Sequence, residues 1–258
     1  MLLKKNKLKT AFSNNMQTYG SWITMSHVLI PEIMSQAGFD WLCIDMEHSS
    51  MELGDLLPLI ISVENNGMVP LVRVGENNSN LIKRVMDTGA NGVIVPNVNS
   101  ADEAIAAVNA VKYPPIGTRG VGLYRAQGYG NKFYDYLHWL ENESVVIVQI
   151  EHIDAVKNID EIFSVPGIDA FFIGPYDLSS SMGKPGAFED KDVQNAIKTT
   201  LACGKKYGIT AGIHSVSSDP SEALLYKKKG FRLLGFSLDS IFFGDAVISA
   251  LQKLKDND

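Results

Sequence analysis

Cysteine is nearly absent from this 258-residue chain: Cys43 and Cys203 are the only two. Two thiols build no disulfide framework, which fits a reducing compartment. Positive charge is also in deficit, with 23 Lys and Arg against 29 Asp and Glu and a net charge of −6. A sequence-independent nucleic-acid binder needs a basic face, so no nucleic-acid partner is expected. No apolar run approaches the ~20 residues that span a bilayer. The basic start, MLLKKNKLKT, is not followed by the apolar stretch of a signal peptide and reads as a solvated first helix or arm. A soluble, cytoplasmic protein without membrane contact is the expectation.

Several chemical signatures are missing as well. There is no GxxxxGK[ST] loop, no third glycine after Gly120–Val121–Gly122, no zinc-type Cys/His spacing and no Gly-x-Ser-x-Gly elbow. No lysine stands at the C-terminal end of a strand, which disfavours Schiff-base chemistry.

What is present is alternation. Apolar residues make up 45% of the chain, with 22 Gly and 10 Pro, an ordinary globular composition. Short apolar runs near Tyr19–Ile23, Trp41–Asp45, Val69–Val74, Gly92–Pro96, Val145–Glu151, Ala170–Gly174, Thr210–His214 and Leu233–Ser237 read as parallel strands buried on both faces. Helical periodicity follows most of them, at Pro31–Ala37, Leu53–Asn65, Ser79–Thr88, Ala101–Val111, Ala155–Phe163, Asp192–Tyr207, Pro220–Lys229 and Asp239–Lys255. Eight such units predict one TIM barrel over residues 1–258, with a doubly wound sheet as the alternative. Gly117–Gly130 reads as a long loop of the kind that often carries function.

A barrel places its chemistry at the C-terminal strand ends. There stand Asp45, Glu47 and His48 after the second strand, Arg73 on the third, Gln149, Glu151 and His152 on the fifth, Tyr176 and Asp177 after the sixth, and His214 on the seventh. Glu151 and Asp177 follow adjacent strands, and two convergent carboxylates suit a hard divalent cation; the alternative is two solvated loop acids. Gln149 and Glu151 share a strand face and His152 points away, so His152 is read as structural. Arg73, ending a run of Val and Leu, needs an anion, either a structural Asp or a substrate carboxylate. Asp45 is placed to orient the ring of His48, unless His48 is a plain surface residue.

The stretches GFDWLCIDMEHSS, VPLVRV, GANGVIVPNVNSADEA, YPPIGTRGVG, VQIEHIDAVKNIDEI and GIDAFFIGPYDLSSSMG closely resemble the 4-hydroxy-2-oxoheptanedioate and 2-dehydro-3-deoxyglucarate aldolases, the HpcH/HpaI-type class II pyruvate aldolases related to the citrate lyase β-subunit. The resemblance runs from about Gly20 to Leu251. It implies a TIM barrel whose last helix is exchanged between neighbours, in homo-oligomers that are commonly hexamers built as trimers of dimers. It implies Glu151 and Asp177 as ligands of Mg2+, Mn2+ or Co2+, Gln149 and the Tyr176 position as contacts of the bound oxoacid, and Arg73 as stabiliser of the pyruvate enolate. It implies His48 as base, helped by Asp45 and by Asp87, and pyruvate plus an aldehyde as products. Tyr176 stands where many relatives have a small residue, and Met46 where they often have Gly. The alternatives are a lyase acting on an acyl-CoA thioester, for which Arg119 and Arg125 are the candidate nucleotide contacts, and a non-catalytic barrel. Asp87 ends a helix that runs back to the bottom of the barrel, so a role beside His48 requires the neighbouring subunit's site.

Overall fold

The computed structural model describes residues 3–256. Eight strands, β1 (Thr18–Ile23), β2 (Trp41–Asp45), β3 (Val69–Arg73), β4 (Gly92–Val95), β5 (Val145–Ile150), β6 (Ala170–Ile173), β7 (Thr210–Ser215) and β8 (Leu233–Leu238), close into a barrel in chain order. Every neighbouring pair is parallel, β8 against β1 included. The helices are α1 (Lys7–Ser13), α2 (Leu29–Ser35), α3 (Leu53–Asn65), α4 (Ser79–Asp87), α5 (Ala101–Val111), α6 (Phe133–Glu143), α7 (Ile153–Lys157), α8 (Ile159–Phe163), α9 (Pro175–Ser181), α10 (Lys191–Tyr207), α11 (Ser221–Lys229) and α12 (Asp239–Lys255). The barrel expectation is met, and no helix among the described residues is long and apolar enough to cross a membrane.

Strand alternation sorts the side chains into two cores. Leu42, Ile44, Val72, Val93, Val146, Val148 and Ile150 face outward and pack under the helices. Trp22, Trp41, Cys43, Leu71, Ile94, Ile147 and Phe172 face inward and fill the barrel. Continuing the inward set by twos reaches Asp45 after Cys43, Arg73 after Leu71, Gln149 and Glu151 after Ile147, and His214 after Gly212. The polar residues are thus the top layer of a barrel whose lower layers are apolar.

Two local expectations need correction, and one loop stands after the fourth βα unit as expected but without the free arginines. The N-terminal segment is not merely solvated: Asn6 caps α1, its side chain accepting from the Leu8 N–H, and Leu8, fully buried, joins the inner core. The run 155–163 is split at Asn158, whose Nδ2 donates to the Asn99 carbonyl at 2.8 Å. The Gly117–Gly130 loop belongs to the α5-to-β5 connection, at the end of the barrel opposite the strand C-termini. Its two arginines are structural. Arg119 donates to Asp87 Oδ1 at 2.5 Å and to the Tyr136 hydroxyl at 3.0 Å, while Arg125 donates to the Thr88 carbonyl at 3.0 Å and to Glu64 at 2.5 Å. Between them the loop presents Val121, Leu123 and Tyr124 to solvent.

Helix α12 buries only Asp239 along its length. Phe243, Val247, Ile248, Leu251 and Leu254 all stand exposed. A packed outer helix of a barrel normally hides such a stripe.

Candidate active site

A pocket opens at the C-terminal strand ends, bounded by Trp22, Asp45, His48, Arg73, Gln149, Phe172, Gly174, Tyr176, Asp177 and His214. Register puts Asp45 beside Arg73 on adjacent strands. Arg73 Nε donates to Asp45 Oδ1 at 2.9 Å and Nη2 to Oδ2 at 2.6 Å, a bidentate pair. The Arg73 guanidinium also lies 4.6 Å from the centre of the Trp22 ring. Burial pushes the Asp45 carboxyl up, but the hydrogen bonds and charge of Arg73 with the N–H groups of Glu47 and His48 outweigh it, leaving Asp45 below its usual range. The anion that Arg73 needs is therefore a structural Asp. Asp45 does not orient the His48 ring; it accepts the backbone N–H groups of Glu47 at 3.0 Å and His48 at 3.3 Å and so fixes the turn. The His48 side chain is 64% exposed, with Nε2 3.9 Å from Glu47 Oε2.

Across the pocket the carboxylates gather. Glu151 Oε1 accepts the Asn97 N–H at 2.8 Å, and Oε2 accepts from Gln149. Gly174 separates Glu151 from Asp177: a Cβ there would sit 3.0 Å from Glu151 Oε2 and 3.6 Å from Asp177 Oδ2. Glu47 completes the group; its Oε2 lies 3.2 Å from Arg73 Nη1 without hydrogen-bond alignment. Burial, with the charges of Glu151, Asp45 and Asp177 and against that of Arg73, pushes the Glu47 carboxyl up to about 7. Burial and the Asp177 charge likewise raise Glu151. So much negative charge with one guanidinium, already paired, calls for a cation. The cradle over Gly174 fits one: two carboxylates from adjacent strands, with Gln149 holding one of them in place. Among the described residues no set of three or more His, Cys, Asp or Glu is arranged to hold a metal.

The other expected residues fall into place or out of it. Tyr176 sits at the rim, 55% exposed, edge-on to Phe188 with ring centres 4.7 Å apart. His152 is structural, as read: its Nδ1 caps α7 by accepting the Asp154 N–H at 3.1 Å. Asp87 is absent from this pocket and is held by Arg119 at the barrel's other end. Trp22 carries no motif, and Gly174, although it lies within GIDAFFIGPYDLSSSMG, has no site role in the sequence reading. The alternation of β1 could have flagged Trp22 as inward-facing, while Gly174 needed the positions of two carboxylates.

Residues 18–243 match the model of the family described as HpcH/HpaI aldolase/citrate lyase. The chain belongs to that family. It is 35% identical over 257 residues to the hydroxypyruvate/pyruvate aldolase of Paraburkholderia phytofirmans, covering 97% of this chain and 98% of the relative. It is 38% identical over 221 residues to the 2-dehydro-3,6-dideoxy-6-sulfogluconate aldolase of Pseudomonas putida, covering 85% of this chain and 86% of the relative. The crystal structure of a family member from Burkholderia cenocepacia J2315 superposes with a TM-score of 0.91 at 33% identity, covering 97% of this chain and 99% of that one. Family membership over nearly the whole chain makes the protein a carbon–carbon lyase of the aldolase class.

Proposed function

We propose that the protein is a divalent-metal-dependent aldolase that cleaves or forms a 4-hydroxy-2-oxo acid, exchanging it for a pyruvate-type 2-oxo acid and an aldehyde. The carrying observation is the cradle of Glu151 and Asp177 over Gly174 beside the clamped Arg73. These two carboxylates would hold Mg2+, Mn2+ or Co2+, and the cation supplies Lewis acidity toward the 2-oxo and carboxylate oxygens.

Arg73 then does the protein's share of charge stabilisation. Asp45 engages Nε and Nη2, so the guanidinium plane is fixed before substrate arrives, and Nη1 keeps a hydrogen for the 2-oxo oxygen. Charge that grows on this oxygen as the C3–C4 bond breaks meets a donor that need not reorganise. Gln149 and the backbone at Tyr176 bound the acid on the cradle side. His48 at the rim takes the 4-hydroxyl proton, directly or through water, the aldehyde departs toward the open mouth past Tyr176, and a proton returned to C3 of the enolate gives the 2-oxo acid.

We infer that the site is completed by a second copy of the chain. The exposed apolar stripe of α12 and the exposed loop tip of Val121 and Leu123 are the surfaces such a contact would cover. Gly122 lies over Asp87, a Cβ there falling 2.8 Å from Oδ2, so Asp87 sits within that tip and could enter a neighbour's mouth near His48. Exchange of α12 in a trimer of dimers is the assembly this reading implies. The acyl-CoA alternative loses its support, because Arg119 and Arg125 are both consumed by intramolecular contacts.

The test is to incubate protein, Mn2+ and pyruvate with a panel of aldehydes and to follow new carbon–carbon bonds by mass spectrometry. Products that appear only with the cation support the reading; none with any aldehyde overturns it.

A further inference from the structure

His214 lines the pocket but has no part in the chemistry above. It faces inward on β7, in register with Gly235 of β8. A Cβ on Gly235 would lie 3.2 Å from Trp22 Nε1 and 3.4 Å from His214 Cδ2, so the glycine lets the two rings meet, centres 5.3 Å apart. His214 Nε2 stands 3.0 Å from the Ser237 carbonyl. A carbonyl only accepts, so Nε2 carries the proton and Nδ1 is left as an acceptor. The backbone goes to some length to hold that carbonyl. Ser237 has φ of 50°, a left-handed conformation costing a non-glycine residue roughly 1–2 kcal/mol. It lies where β8 slips register against β1. Ser21 Oγ donates to the same carbonyl at 3.1 Å, and Ser237 Oγ donates to the Val216 carbonyl at 3.0 Å. Burial keeps the imidazole neutral, its pKa lowered to about 4.

Nδ1 receives no hydrogen bond from any described residue. It lies on the ring edge opposite the one that meets Gly235. Its position in the pocket is set by Trp22, which touches both His214 and Arg73 and is only 3% exposed. His214 therefore belongs to the floor near Arg73, while His48 and Tyr176 belong to the rim. Arg73 and His214 therefore share one wall of the pocket, with Trp22 between them.

We propose that His214 is a specificity-determining residue whose Nδ1 accepts a hydrogen bond from a hydroxyl on C3 of the 2-oxo acid, so that the site favours a 3-hydroxy-2-oxo acid over an unsubstituted one. The inference rests on the aldolase reading above and deepens it. Hydroxypyruvate and pyruvate are the probes, used with the Mg2+-loaded protein. The ratio of kcat/KM for hydroxypyruvate to that for pyruvate should fall about tenfold in His214→Leu, the effect of losing one neutral hydrogen bond. His214→Gln, which keeps an acceptor oxygen, should recover part of it. In 15N-histidine spectra the Nδ1 resonance should report an unprotonated nitrogen that moves with hydroxypyruvate and stays with pyruvate. An unchanged ratio in His214→Leu, or an Nδ1 resonance indifferent to hydroxypyruvate, overturns the proposal and leaves the aldolase reading standing. Absence of carbon–carbon bond formation with either acid in the unaltered protein overturns the aldolase reading, and the resonance still decides whether His214 meets the hydroxyl.

Discussion

Replacing Arg73 by Lys separates chemistry from architecture at one position. The wild-type guanidinium makes two hydrogen bonds to Asp45, at 2.9 and 2.6 Å, and stacks on Trp22. An ammonium keeps the charge, reaches one Asp45 oxygen and cannot form the planar fork. Losing one charge-assisted hydrogen bond costs about 2 kcal/mol. At roughly 2–4 °C per kcal/mol for a chain of this size, Tm should fall by about 4–8 °C. The catalytic loss should be larger, because the fixed donor to the 2-oxo oxygen goes with the fork: about 10²–10³ in rate, or about 3–4 kcal/mol of barrier. The assay is exchange of the pyruvate C3 protons for deuterium, followed by NMR with Mg2+ present, since exchange reports enolate formation without an aldehyde. Scanning calorimetry of the same samples gives Tm. Exchange within about threefold of wild type, together with the expected drop in Tm, would refute the assignment of Arg73 to the enolate and leave it as Asp45's partner alone.

Chelator should abolish aldol activity and Mg2+, Mn2+ or Co2+ should restore it, while borohydride with pyruvate leaves the protein unlabelled; activity in chelator with lysine labelling defeats the metal assignment. His48→Ala and Asp87→Ala proteins, dissociated and reassembled together, should gain activity above either parent, because some hybrid sites pair an intact His48 with a neighbour's intact Asp87; hybrids that form without gain defeat the shared site. His214 refuses a proton down to about pH 4, whereas an unfolded histidine titrates near 6.5. Between these values the unfolded chain binds the extra proton, so this contribution to stability is whole above about pH 6.5 and is lost as pH falls toward 4, up to about 3 kcal/mol. Denaturant titrations of His214→Leu should therefore show a flatter decline over that interval, and parallel curves for variant and wild type would contradict it.

The barrel was legible because its strands are apolar on both faces and its helices carry clean stops such as Gly89 and Gly230. Helix α6 was missed because FYDYLHWLENE is rich in aromatic residues, which are indifferent helix formers. Helix α9 was hidden within a motif read as a strand end, although Pro175 at its first turn is a regular start signal. At the site, period-two alternation was enough to bring Gln149 and Glu151 to one face. It could not say which anion Arg73 would take, since Asp45 and a substrate carboxylate are the same chemistry in one dimension; the register of β2 on β3 decides it. The role given to Asp45 toward His48 failed for a related reason: three residues of spacing allow a ring contact or a turn, and the chain makes the turn. The arginines of the Gly117–Gly130 loop looked free because their partners, Glu64 and Asp87, lie on other helices.

The crowd of carboxylates has a kinetic corollary. Asp45 and Asp177 line the pocket, Glu47 and Glu151 stand beside them, and the single guanidinium among the four already faces Asp45 and Glu47. A 2-oxo acid arrives as an anion, and in the absence of a cation this pocket repels it. Binding is then ordered by charge: the divalent ion must be seated first, and the acid is admitted by it. Apparent affinity for the acid should climb with cation concentration until the cradle is saturated. Inhibition by excess acid, which would trap a metal-free complex in a random scheme, should be absent.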